Sequence, residues 1–400
     1  MSKVPMASDF HYLIGEDGFV PVGHFFLPFN VYLEDARLEA QAKEEKRSKA
    51  MERVLAKQAA EATVVILSTN ASEAPEESEA QVELPSFERA VPVFQMKELF
   101  QTRKKISADK EGRFLELLLS AEKNNGFRSI PAWDDLSARF TALRTNFPNF
   151  GEALDALECE LILSAVQPPE RFRVAPLLLA GDPGIGKTLL ASELAKSLDL
   201  PFAKISAGGS QGPFDFVGTS LHWSNAHPGR VFELLASSDS ASGVLLIDEV
   251  DKISQDQRHP ILPALLDLLE GDSARQFRDE ACAVTFDASR LIILLTANDL
   301  DAIQKPLMSR LQVCEAEPPT VPQRVTIIRR LVEKLQEGTS HQVELPDAEC
   351  DRLAEASSLD LRELQRRVTR AYATALISGV RELVFELPTK TVRQRMGFVG

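Results

Sequence analysis

Residues 175–190 read Ala-Pro-Leu-Leu-Leu-Ala-Gly181-Asp-Pro-Gly-Ile-Gly-Lys187-Thr188-Leu-Leu. An apolar run of strand length ends at Ala180, a glycine-rich loop spans Gly181 to Thr188, and a helical pattern runs from Leu189 to Leu198. Strand, loop and helix in this order are the setting in which Gly-x-x-x-x-Gly-Lys-Thr cradles phosphate. Gly181, Gly184 and Gly186 let successive backbone N–H groups converge on phosphate oxygens, where a Cβ would obstruct them. Asp182, Pro183, Ile185 and Leu189 complete the loop and its exit. Lys187 is expected to reach the β- and γ-phosphates, and Thr188 to offer its hydroxyl to Mg²⁺. The positive end of the following helix adds to the attraction. ATP and Mg²⁺ are therefore the expected cofactors.

Apolar runs of strand length recur at 174–180, 201–205, 243–248 and 291–297, with helical patterns between them. Such alternation predicts an α/β fold, a parallel sheet with helices on both faces. Val244-Leu-Leu-Ile-Asp248-Glu249 ends one strand in two carboxylates. In a parallel sheet the strand C-terminal ends lie beside the phosphate site. Asp248 is expected to hold Mg²⁺, directly or through water, and Glu249 to activate the attacking water as general base. The run Leu291 to Thr296 leads into Ala297-Asn298-Asp299, a polar tip between the two earlier strands. Asn298 there either orients the water and reports on the γ-phosphate or caps the next turn. Arg310, after a short helix on the same edge, would stabilise charge on a neighbouring subunit's γ-phosphate if it crosses a subunit boundary. Otherwise it is a surface ion pair. Arg362, opening a helix at Leu361-Arg-Glu-Leu, is placed to contact the nucleotide of its own chain.

The 400 residues are 44% hydrophobic and 26% charged, an ordinary balance for a soluble globular protein. A net charge of −14 argues against a general affinity for nucleic-acid backbone. Cys159, Cys282, Cys314 and Cys350 stand far apart and the six histidines form no metal-ligand pair, so neither a disulfide framework nor a zinc site is expected. No stretch approaches the length of a membrane span, and a cytoplasmic location follows. Residues 1–67 read as an arm of short strands, around a turn at Asp17-Gly18, followed by a charged helix that is either solvated or a docking element. Residues 68–90 read as an acidic flexible linker. Residues 91–145 read as a small helical unit, residues 146–317 as the α/β core, and residues 318–400 as a helical lid with one short strand at 383–387. The N-terminal region is thus expected to be mainly helical and partly disordered.

Residues ~147 to 397 resemble the ATPase module of the Lon proteases, within the AAA+ superfamily. The resemblance rests on the phosphate loop, Ile205-Ser206 with Gly208-Gly209, Pro228-Gly229-Arg230, Asp248-Glu249-Val250-Asp251-Lys252, Thr296-Ala297-Asn298, Pro306-Leu307 with Arg310, and Arg362. It implies Lys187 and Thr188 on phosphate and metal, Asp248 and Glu249 as the Walker B pair, Asn298 as sensor 1, Arg310 as arginine finger and Arg362 as sensor 2. Asp182 departs from the proline usual in that family and puts a carboxylate near the phosphates. The chain stops roughly where a Lon protein enters its peptidase domain, so no protease activity is expected.

The same resemblance implies a hexameric ring that draws polypeptide through a central channel. Trp223 falls at the position of the gripping aromatic, although a buried or interface role is the ordinary fate of an indole. Phe277 falls on the second loop around the channel, with local packing as its other reading. The expected function is an ATP-driven oligomeric motor that remodels a protein partner, with a separate peptidase or effector among its possible associates. A nucleotide-controlled scaffold with slow hydrolysis is the alternative, and a DNA-directed loader is disfavoured by the acidic balance.

Overall fold

The structure is a computed structural model, and it describes residues 19–22, 25–28, 89–105, 112–210, 212–220, 226–253, 260–339, 341–356 and 359–386. In the first of its two units, β1 (Phe19–Val22) and β2 (Phe25–Pro28) pair antiparallel, with Val22 opposite Phe25. The reversal of this pair falls between those two residues, and Asp17-Gly18, where a turn was expected, lies outside the described residues. The charged helix expected at 34–62 and the linker at 68–88 lie outside the described residues.

The second unit is organised around a five-stranded parallel sheet. Its strands are β5 (Leu177–Ala180), β6 (Phe202–Ser206), β7 (Val244–Asp248), β10 (Ile292–Ala297) and β11 (Gln312–Glu315), in the order β11-β5-β10-β7-β6. All four residues of β5 and all six of β10 are buried, which is why they read as unbroken apolar runs: helices cover both faces. The edge strands differ. β6 carries Lys204, and β11 begins with Gln312 and ends with Glu315, because one side of an edge strand meets solvent. β11 has no apolar run for that reason, and the sequence pattern did not predict it.

Residues 89–145 do not form a separate helical unit. β3 (Ala90–Pro92) pairs antiparallel with β4 (Phe127–Ser129), and α1 (Met96–Lys105), α2 (Arg113–Glu122) and α3 (Leu136–Asn146) bury their apolar faces in the same core as the sheet. Phe94 stacks on Phe286 at 5.8 Å and meets Phe232 edge-on at 5.5 Å. Arg128, 0% exposed, donates to the carbonyls of Ser120, Lys123 and Phe127, satisfying acceptors at the end of α2. Its guanidinium also lies over the Phe94 ring. Burial lowers its pKa to about 10, leaving it charged at neutral pH.

The hairpin of β8 (Phe277–Asp279) and β9 (Val284–Phe286) is part of this junction. Phe277 is 4% exposed and meets Phe286 edge-on at 5.8 Å. A ring packed this way has no free face to offer a channel, so the second-loop role expected of Phe277 gives way to its packing role. Thr102 donates to the Cys282 carbonyl at 2.5 Å, and Glu98 accepts from the Thr285 N–H at 2.5 Å, fastening α1 to the hairpin.

From Gly151–Ala165 (α4) the chain enters the sheet, with α5 (Lys187–Ser197), α6 (Arg230–Ala236) and α7 (Leu262–Leu269) covering it. The lid has its own apolar cluster, built by α8 (Val321–Gln336), α9 (Asp347–Ala354) and α10 (Leu361–Ser378). Thr320 and Gln323 form a capping box at the start of α8, and Gly379 closes α10 in the left-handed conformation. The strand expected at 383–387 reduces to a single bridge between Glu344 and Glu382 within the described residues. Among the described residues no helix is long and apolar enough to cross a membrane. Cys282, Cys314 and Cys350 are buried and Cys159 is exposed, all as free thiols.

Asp279 is a buried carboxylate whose oxygens accept from the Gly229 and Cys282 N–H groups, each at 2.7 Å. Burial raises its pKa from 3.8 to about 6, against those hydrogen bonds. An acid with a raised folded-state pKa binds its proton more tightly when folded. Its contribution to stability is full below pH 3.8 and is lost as pH rises through about 6. Asp279→Asn is therefore expected to be destabilised more at pH 4 than at pH 7, the gap narrowing by roughly 2–3 kcal/mol in urea titrations.

Candidate functional site

The loop Gly181–Thr188 leaves the C-terminal end of β5 and turns into α5. Gly181, Gly184 and Gly186 all have positive φ, at 143°, 81° and 106°. A Cβ on Gly181 would lie 2.2 Å from the Ala316 carbonyl oxygen, and one on Gly184 would lie 2.7 Å from Asp360 Oδ2. Glycine is required at both positions by conformation and by contact. Lys187 is 8% exposed, and its ammonium donates to the carbonyls of Gly181 and Asp182 and, at 2.9 Å, to Asn298 Oδ1. Burial pushes this ammonium's pKa down, Asp251, Asp248 and Asp182 oppose the shift, and Arg362 adds to it. Arg362 is thus close enough to the loop for its charge to be felt at Lys187. Asp182 itself is exposed.

Because β10 lies between β5 and β7, its polar end sits between the phosphate loop and the acid pair. The Thr296 hydroxyl donates to Asp248 Oδ1 and accepts from the Glu249 N–H at 3.0 Å. Thr188 Oγ1 is 3.3 and 3.4 Å from the two Asp248 oxygens. Lys204 reaches across from β6 to Asp248 Oδ2 at 2.5 Å. Burial works to raise the Asp248 pKa, but the bonds from Lys204, Thr296 and Thr188 outweigh it and hold the carboxyl below its usual range. Thr188 and Asp248 together form a pair of hard oxygen donors beside the loop. Mg²⁺ takes one or two such protein ligands along with phosphate oxygens and water, so these residues fit it.

Glu249 follows with φ of 61°, a left-handed conformation that costs a non-glycine residue about 1 kcal/mol or more and aims it away from the strand axis. Its carboxylate is paired with Lys252, and that bond raises the lysine's pKa. The Asn298 N–H donates to Asp251 at 3.2 Å, which fixes the residue whose side chain meets Lys187. Arg310 does not join this cluster within one copy of the chain. It donates to the Pro306 carbonyl at 2.9 Å and pairs with Glu270 at 3.1 Å. Trp223 lies outside the described residues.

Two participants were given no role in the sequence reading, although each left a trace. Lys204 is the one charge in the run Pro201 to Ile205, and Thr296 is the hydroxyl near the end of an otherwise apolar strand. Asn149 was a third omission, and nothing local marks it. Its side-chain amide donates to the carbonyls of Ile185 and Glu317, joining the turn before α4, the phosphate loop and the lid junction.

Sheet order, glycine loop and acid pair together define an α/β module with a phosphate-binding loop at the strand ends. Residues 177–317 match the family described as "ATPase family associated with various cellular activities (AAA)". The module is similar to that of the Lon proteases. The mitochondrial Lon protease homolog 1 of Arabidopsis thaliana is 31% identical over 212 residues, which cover 52% of this chain and 23% of that protein. Lon protease 1 of Bacillus subtilis is 34% identical over 166 residues, covering 41% and 21%. The chain therefore spans about a quarter or less of the length of these relatives. Among solved structures, a closed-state cryo-EM reconstruction of Hsp104 with ATPγS and FITC casein is similar in fold, with a TM-score of 0.50 and 17% identity. That likeness covers 62% of this chain and 49% of the other.

The contact between Gly184 and Asp360 makes a prediction. Gly184→Ala is expected to lower affinity for a non-hydrolysable ATP analogue by about tenfold or more, measured by calorimetric titration, because alanine is strained at the left-handed φ of 81° and its methyl group displaces the Asp360 carboxylate.

Proposed function

We propose that this chain hydrolyses ATP as a Lon-like AAA+ motor, assembled into a ring, and uses the energy to remodel a protein partner in the cytoplasm. The observation that carries the reading is the convergence of Lys187, Thr188, Asp248, Glu249 and Asn298 at the ends of three adjacent strands. Lys187 and the loop N–H groups would hold the phosphates and Asn298 would orient the attacking water. Glu249, once released by Lys252, would take that water's proton. Mg²⁺ held by Thr188 and Asp248 would neutralise charge on the phosphate oxygens. Arg310 belongs to the next subunit's pocket in this scheme, and exchanging Glu270 for a neighbour's γ-phosphate completes that site. Arg362 would contact the nucleotide in cis, and Trp223 would grip the client.

Glu249→Gln is expected to reduce turnover by about 10²-fold or more while nucleotide binding persists. Arg310→Ala is expected to lose about 10³-fold in steady-state hydrolysis, and dilution of the unmodified protein to a single-copy state should mimic it. Phosphate release assayed across a concentration series checks both. Undiminished turnover by an isolated copy would end the ring interpretation.

A second reading, a nucleotide-controlled scaffold with slow hydrolysis, draws support from one observation. Glu249 and Arg310 each sit in an internal ion pair, with Lys252 and Glu270. Trp223→Ala separates the two readings. The motor reading expects loss of client remodelling with basal hydrolysis intact, and the scaffold reading expects no such separation.

A further inference from the structure

Arg324 lies in the first turn of α8, 6% exposed, with no carboxylate among its hydrogen-bond partners. One guanidinium nitrogen donates to the Leu359 carbonyl at 2.8 Å and another to the Ala356 carbonyl at 2.9 Å. Burial pushes its pKa down. A buried charge held only by two carbonyls is costly, and those carbonyls belong to the turn that delivers α10 to the phosphate loop.

The next two residues after that turn touch the phosphate loop. Asp360 caps α10 by accepting from the Glu363 N–H at 2.7 Å, and its carboxylate fills the space above Gly184. The Leu361 N–H donates to the Gly184 carbonyl at 3.2 Å. Arg362 follows, with its charge felt at Lys187. The residue before Arg324 faces the other way: Gln323 donates to the Pro148 carbonyl at 2.9 Å, beside Asn149 and its bond to Ile185. One helical turn therefore grips both chain segments that border the loop.

We propose that Arg324 is a positioning residue for nucleotide binding: by holding the carbonyls of Ala356 and Leu359 it sets where Asp360 and Arg362 meet the phosphate loop. It touches no nucleotide itself. The two fork-like N–H groups fix both the distance and the rotation of the turn, which a lysine, reaching one carbonyl at a time, does not. This inference rests on Arg362 acting on the nucleotide, and its test separates the two ideas.

The experiment measures affinity for a fluorescent ATP analogue, together with thermal midpoint, in the full chain and in Arg324→Met, Arg324→Lys, Arg362→Ala and the Arg324→Met/Arg362→Ala pair. The expected result is a roughly tenfold weaker affinity for Arg362→Ala and a similar loss for Arg324→Met. The pair should be no worse than either single variant, because one acts through the other. Arg324→Lys should recover thermal stability ahead of affinity. If Arg362→Ala binds normally, the reading of Arg362 fails and the inference goes with it. If Arg362→Ala is weakened but Arg324→Met binds normally, or the two losses multiply, Arg324 serves only the lid core and the inference is overturned. An Arg324→Met chain too unstable to assay leaves the Lys variant to decide: unaltered affinity with only one carbonyl held would overturn it equally.

Discussion

The closeness with which later chain segments cover the phosphate loop is the constraint on which the rest of the structure depends. Ala316 lies over Gly181, and Asp360 and Leu361 lie over Gly184, at distances that leave no room for a side chain. The loop's shape is therefore enforced from above as well as by its own glycines. A change in the angle of the lid cannot leave the loop untouched, since the Leu361–Gly184 hydrogen bond joins them through backbone atoms alone. Loop and lid form one mechanical element.

Charge is arranged with the same economy of contact. Lys187 is met by carbonyls and Asn298, Asp248 by Lys204, Glu249 by Lys252 and Arg310 by Glu270. Half-buried charges need partners, and each of these has found one inside a single copy of the chain. Three of those partners, Lys204, Lys252 and Glu270, are exposed enough to exchange. Thr296 differs: it is buried, and it ties Asp248 to the backbone of Glu249 so that the two acids move together.

The centre of the sheet was legible in the sequence because burial on both faces demands long apolar runs, and β5, β7 and β10 supply them. The glycine loop, the acid pair and Asn298 were legible because their chemistry requires those residue types at strand ends. The edges were not. β11 is four residues long with polar ends, and the β3–β4 and β8–β9 pairs have three residues per strand, too few for a period to show. The helical look of 91–145 concealed that Phe94 and Arg128 belong to the core of the following domain, because long-range packing of one ring leaves no periodic trace. For Phe277 the sequence left channel loop and local packing open for a related cause: nothing near it showed that Phe286 was there to receive its ring.

Where the chain may safely be divided follows from that shared core. The stretch matched to the AAA family begins at 177, and a fragment trimmed to that boundary would leave Phe232 and Phe286 bare and Thr285 without Glu98. Exposed aromatic surface of that kind promotes aggregation. The smallest piece with its interior intact starts ahead of Arg89, so a preparation of the sheet-containing unit must carry β3, α1 and α2 along with it.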